Sequence, residues 1–158
     1  MKIQMNRAMR GALDKYGISD ILELNLENGN IFQEIIAAGI SVDKGCLLLN
    51  RNLTLCKGLE IKDFPDLTGY ECYINKINVD DYLPTSDPKE LLQSSLILAR
   101  LLDRQLTEFG EKVEIIIGLQ ADDVPTSAVR FHKVRGNESW LGTNLEKYDE
   151  CILVAETN

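Results

Sequence analysis

His132 is the only imidazole in the chain, and it stands in the densest run of positive charge, with Arg130, Lys133 and Arg135. Imidazole suits general acid–base work near neutral pH, so an enzymatic reading centres on His132. The surrounding sequence gives it no partner for that work. There is no GxSxG elbow and no cysteine close by in sequence. The more ordinary role is a ring satisfied by a backbone carbonyl or a carboxylate. On a strand, Arg130 and His132 project to one face and Lys133 and Arg135 to the other. The cluster therefore divides instead of forming one anion site, and its arginines are expected to pair with Glu138, Glu146 or other acids. Trp140, the only tryptophan, should anchor this segment to the core; exposed, it would be a binding hot spot.

Acidic pairs occur at Asp80-Asp81, Asp122-Asp123 and Asp149-Glu150. Adjacent loop acids are usually solvated; calcium or magnesium would need further oxygen ligands, and no EF-hand loop is present. Neither GxGxxG nor GxxxxGK[ST] occurs, so no phosphate cradle is indicated. Cys46, Cys56, Cys72 and Cys151 lack metal-ligand spacing and lie beside apolar residues. They read as buried free thiols, neither a zinc site nor a disulfide framework. No metal and no cofactor are expected.

The elements that must position these groups follow from periodicity. Met5, Ala8, Met9, Ala12, Leu13 and Tyr16 recur at helical spacing, with Gly17 as a stop. Alternation over 22–26 and the Asn28-Gly29 turn suggest a short strand, followed by a helix capped at Asn30 and ended by Gly39. Residues 45–61 read as a hairpin turning at Asn50-Arg51-Asn52. Residues 70–79 alternate cleanly and predict an edge or partly solvated strand. Asp87-Pro88-Lys89-Glu90 is a capped helix start with a capping box, opening a broad apolar face through Phe109. Strands follow at 113–119, 127–134 and 151–156, the last well inside the sheet, with a short helix or irregular turn over 138–148. Neighbouring strands on short connections imply antiparallel pairing, with the long helix (about 87–109) across one face. The fold class is α+β, and residues 1–158 read as a single domain.

Composition narrows the function. With 17 basic and 25 acidic side chains the net charge is −8, which disfavours nucleic acid as a partner; an acidic surface either serves solubility alone or also steers basic partners toward it. No apolar run is long enough for a membrane span or a signal peptide, so a cytoplasmic location is expected.

Arg130-Phe131-His132-Lys133-x-Arg135, Glu138-x-Trp140-Leu141 and Leu145-Glu146-x-Tyr148 before an apolar strand resemble the C-terminal pattern of bacterial immunity proteins. These accompany polymorphic toxins, including those of contact-dependent growth inhibition; the resemblance covers about the last thirty residues. It implies a non-enzymatic cytosolic protein that binds the C-terminal domain of a cognate toxin, a basic nuclease in the expected case, and occludes its active site. The shared residues are expected to be scaffold. The toxin-binding surface is placed on the acidic loops, at Asp80, Asp81, Asp122 and Asp123, with Glu71 on the predicted edge strand, which could itself accept a toxin strand. The alternative is a small cytosolic enzyme or ligand-binding domain using His132.

Overall fold

The computed structural model describes residues 2–21 and 24–157. Its main sheet has five antiparallel strands in the order β1 (Lys2–Met5), β7 (Cys151–Glu156), β5 (Val113–Gln120), β6 (Thr126–Lys133) and β4 (Ile77–Asn78). The α+β class is as expected, and β7 is flanked by a strand on each side. β1 was not anticipated: four residues flanked by a helix carry little periodic signal.

Helix α5 (Pro88–Thr107) begins where its cap predicts. Asp87 accepts the Lys89 N–H at 2.9 Å, and Pro88 sits in the first turn, where a missing N–H costs nothing. The capping box is not used: the Asp87 N–H donates to Thr85 Oγ1 at 3.1 Å. Leu91, Leu92, Leu98, Leu102 and Leu106 lie buried over Val113, Ile115, Ile117, Leu119, Val129, Phe131 and Leu153. Each such side chain contributes about 1.5–3 kcal/mol by leaving water, so this contact is the principal core. Helix α1 (Arg7–Tyr16) also follows prediction, ending at Gly17 with φ 68°.

Three predicted strands are corrected. Residues 22 and 23 lie outside the described residues. The rest of that segment is irregular and then a 3₁₀ helix, Leu26–Phe32, capped by Asn25 and not Asn30, which leads into α2 (Gln33–Ala38). The predicted 45–61 hairpin is displaced toward the N-terminus. β2 (Ile40–Asp43) pairs with β3 (Cys46–Leu49) around Lys44-Gly45, both at positive φ, the geometry that matches strand twist. The expected turn at Asn50-Arg51-Asn52 instead opens α3 (Asn50–Leu55). β3 is continuously apolar because both faces are buried: Leu47 and Leu49 join the principal core, while Cys46 and Leu48 join a second cluster with Tyr70 and Ile74.

The third correction concerns 70–79. Most of it is helix α4 (Leu67–Ile74), and only Ile77 and Asn78 pair as strand. The Asp66 side chain caps α4 by accepting the Gly69 N–H at 2.6 Å. Leu67, Tyr70 and Ile74 face the second cluster at helical spacing. Over so short a window, Tyr70, Cys72 and Ile74 satisfy a period of two as well, and tertiary burial decides the outcome. Among the described residues, no helix is long and apolar enough to cross a membrane.

Candidate functional site

Two of the acids assigned to a partner surface serve the fold. On the outer edge of β6, the Ser127 N–H donates to Asp80 Oδ1 at 3.0 Å and the Lys133 N–H to Glu71 Oε2 at 2.9 Å. Between them Val129 pairs with Ile77 of β4, and Asn75 Nδ2 donates to the Phe131 carbonyl at 3.0 Å. Residues 71–80 thus close this edge with a two-residue strand and three side chains, and the edge strand expected over 70–79 is reduced to Ile77-Asn78. Glu71 and Asn75 also reach back to β3. Glu71 Oε1 accepts the Leu47 N–H at 2.7 Å, and Asn75 accepts from Leu49 and donates to the Leu47 carbonyl. Glu71 is 0% exposed and meets Arg135 at 2.6 Å. It is an internal bracket between two sheets, and its assignment to the surface is corrected: a helix, where a strand was predicted, turns it inward.

Asp81, Asp122 and Asp123 are exposed, and the topology brings their loops together. The β5–β6 hairpin closes with Gln120 opposite Thr126, and β7 begins with Cys151 opposite Leu119. Asp122-Asp123 and Asp149-Glu150 therefore lie at one end of the sheet. The Asp80–Ser127 bond brings Asp80-Asp81 to the same end. Burial, Asp122 and Glu150 all raise the Cys151 thiol, consistent with that convergence. At the hairpin tip Val124 is 75% exposed, an apolar knob among acids. Asp149 and Glu150 were known from sequence as an acidic pair; only strand register shows that they share this end.

A groove of about 700 Å³ runs from this end over the sheet face opposite α5, lined among others by Lys76, Ile116, Gly118, Arg130, Trp140 and Tyr148. Trp140 was expected in the core; it is 40% exposed, with the Arg130 guanidinium 4.9 Å from its ring centre. Burial lowers the Arg130 pKa, opposed by Cys72 and Glu150. Gly118 gives Glu150 room to lie on the sheet, since a Cβ there would stand 3.1 Å from Glu150 Oε2. The 142–150 segment is held from beneath by Asn6. That side chain donates to the Glu150 carbonyl at 2.7 Å and to the Tyr148 carbonyl at 3.3 Å.

His132 does not line the groove. It is 1% exposed and paired in register with Glu114 across β5 and β6. Its Nδ1 donates to the Lys133 carbonyl at 2.9 Å, and Nε2 lies 3.2 Å from Glu114 Oε2, off the ideal hydrogen-bond line. The carbonyl satisfies Nδ1, as the ordinary reading holds for that nitrogen; Nε2 faces the Glu114 carboxylate without a well-aligned hydrogen bond. This contact with His132 holds Glu114 below its ordinary value of 4.5, against the effect of burial. A depressed carboxylate stabilises the fold above its unfolded pKa and loses that contribution as pH falls through the folded value. The stability difference between the wild type and His132→Gln should therefore shrink as pH falls below about 5. Urea denaturation across this range checks the prediction; a difference that is flat or grows toward acid would contradict it.

The four cysteines are free thiols. Cys46 and Cys72 are buried, while Cys56 and Cys151 are half-buried. Burial, reinforced by Glu71, pushes Cys46 up to about 11, and burial raises Cys72 as well, so neither is a ready nucleophile. Among the described residues, no group of three His, Cys, Asp or Glu side chains is placed to hold a metal ion.

A family profile described as Uncharacterized protein PM0498 family matches residues 4–158, which include every residue of the site. The chain is similar to "Uncharacterized protein PM0498" of Pasteurella multocida (strain Pm70), 33% identical over 132 residues, spanning 74% of this chain and 81% of that protein. No solved structure matches.

Proposed function

The chain belongs to the Uncharacterized protein PM0498 family, and we propose that it acts as an immunity-type inhibitor. In this reading it is a cytosolic, non-enzymatic protein that binds the C-terminal domain of a basic toxin, a nuclease in the simplest case, and covers its active site. One observation carries the reading: acidic pairs distant in sequence converge at one end of the sheet, around exposed Val124 and beside Trp140. Such a surface steers a basic partner into contact, and a part-exposed tryptophan and an apolar knob supply the desolvated contacts that hold it. Asp81, Asp122 and Asp123 remain in the binding surface and Asp149 and Glu150 join it. Asp80 offers only the oxygen not used by Ser127, and Glu71 drops out. The alternative, an enzyme or ligand-binding domain using His132, needs that ring in a pocket, and His132 is buried outside the groove.

The test is co-expression with toxin domains encoded next to this gene, together with association kinetics on the purified pair. Asp122→Lys with Asp123→Lys should slow association by about tenfold or more at low salt and far less at high salt, and should weaken protection of the host cell. Unchanged rates and full protection would refute the assignment of this face. Failure to bind or protect against any neighbouring toxin would refute the function.

A further inference from the structure

The groove contains a cation with no hydrogen bond or close ion pair among the described residues, although the Glu150 charge acts on it. Five lysine or arginine side chains are half-buried among the described residues: Arg51, Arg100, Arg130, Lys133 and Arg135. Four have polar partners. Arg51 meets the Tyr82 hydroxyl, Arg100 the Leu24 carbonyl, Lys133 Glu111, and Arg135 Glu71. Arg130 has no hydrogen bond: the Trp140 ring engages the flat of its guanidinium, and Glu150 acts on it only through its charge. The five N–H donors in its plane remain for something else.

The surroundings define what that is. A carboxylate matches the guanidinium fork with two parallel hydrogen bonds. The Tyr148 hydroxyl accepts the Gly142 N–H at 2.9 Å, so its own proton is free to donate. Ile116, Ile152, Leu141 and Trp140 supply apolar wall. Asp80 and Glu150 also line the groove, so an anion of more than one charge, such as phosphate, meets more repulsion there than a monocarboxylate does. A volume of about 700 Å³ falls in the range of small-molecule sites.

We propose that this groove binds small organic monocarboxylates, with Arg130 holding the carboxylate and the apolar wall holding the body. The site shares Trp140, Glu150 and Asp80 with the face proposed for a toxin, but its argument does not depend on that reading. Trp140, as the only tryptophan, reports occupancy by its fluorescence, and calorimetry provides a second readout. The probes are benzoate and hexanoate, with benzylamine and inorganic phosphate as controls. Saturable binding of at least one acid is expected, at least tenfold tighter than either control. Arg130→Gln should weaken it by about tenfold or more, with its fold checked by circular dichroism. If that variant does not fold, Leu141→Glu, on the loop wall, should abolish binding by repulsion. The proposal is overturned if neither acid binds, if benzylamine or phosphate binds as tightly, or if a folded variant binds as the wild type does.

Discussion

Glu71→Ala is expected to cost about 3–5 kcal/mol of unfolding free energy, the largest loss from any single change on the polar side of the structure. The carboxylate is fully buried and accepts from the Leu47 N–H, the Lys133 N–H and Arg135. Alanine leaves two backbone donors without an acceptor, each worth about 1–3 kcal/mol. It also leaves the Arg135 guanidinium with Glu138 at 3.9 Å as its remaining acid. A typical domain has about 5–15 kcal/mol in total, so the variant should be near the limit of folding at physiological temperature. Glu71→Gln should rescue only part of the loss, because the amide turns an N–H₂ toward one of the donors. A double-mutant cycle with Arg135→Ala should show coupling of about 1–3 kcal/mol. Urea denaturation measures all three; a loss below about 1 kcal/mol for alanine would show that water or a local shift replaces the bracket.

That bracket also marks the limit of what the sequence discloses. Long periodic elements with strong punctuation were legible: α5 from Asp87-Pro88 and its leucines, the β5–β6 pair from β-branched runs, α1 from its stripe and Gly17. Segments shorter than about two helical turns were not, because three or four apolar positions fit both periods. The 70–79 segment became helix since Tyr70 and Ile74 bury against β3, a contact that no local pattern encodes. The same misreading placed Glu71, which is interior, on the surface. Buried asparagines were equally silent. Asn75 reads as one polar position of an alternation, and Asn52 as a turn residue. Asn52 in fact donates to the Ile74 and Lys76 carbonyls at the end of α4. The acidic pairs were visible individually, but their convergence depends on strand register, which is set by side chains far apart in the chain.

Asn6 is the buried amide that ties the fold to the candidate surface, and its substitution is expected to separate two functions of one side chain. Its Oδ1 accepts the N–H of Met9, capping α1, and the N–H of Ile152; its Nδ2 donates to the carbonyls of Tyr148 and Glu150. Asn6→Ala removes both sets and should cost about 2–4 kcal/mol, combining a lost helix cap with unsatisfied backbone groups. Asn6→Asp keeps the cap, since a carboxylate accepts the same two N–H groups and suits a helix N-terminus. It also places oxygen against two carbonyl oxygens. This variant should retain α1 while loosening 145–150, the segment that carries Asp149 and Glu150 to the acidic end. Hydrogen exchange should therefore quicken in 145–152 but not in α1 for the aspartate variant, and in both for the alanine variant. Because steering depends on where the carboxylates are held, the aspartate variant should also bind a basic toxin more slowly despite its added negative charge. Faster association would mean that net charge, not the placement of Asp149 and Glu150, governs the encounter.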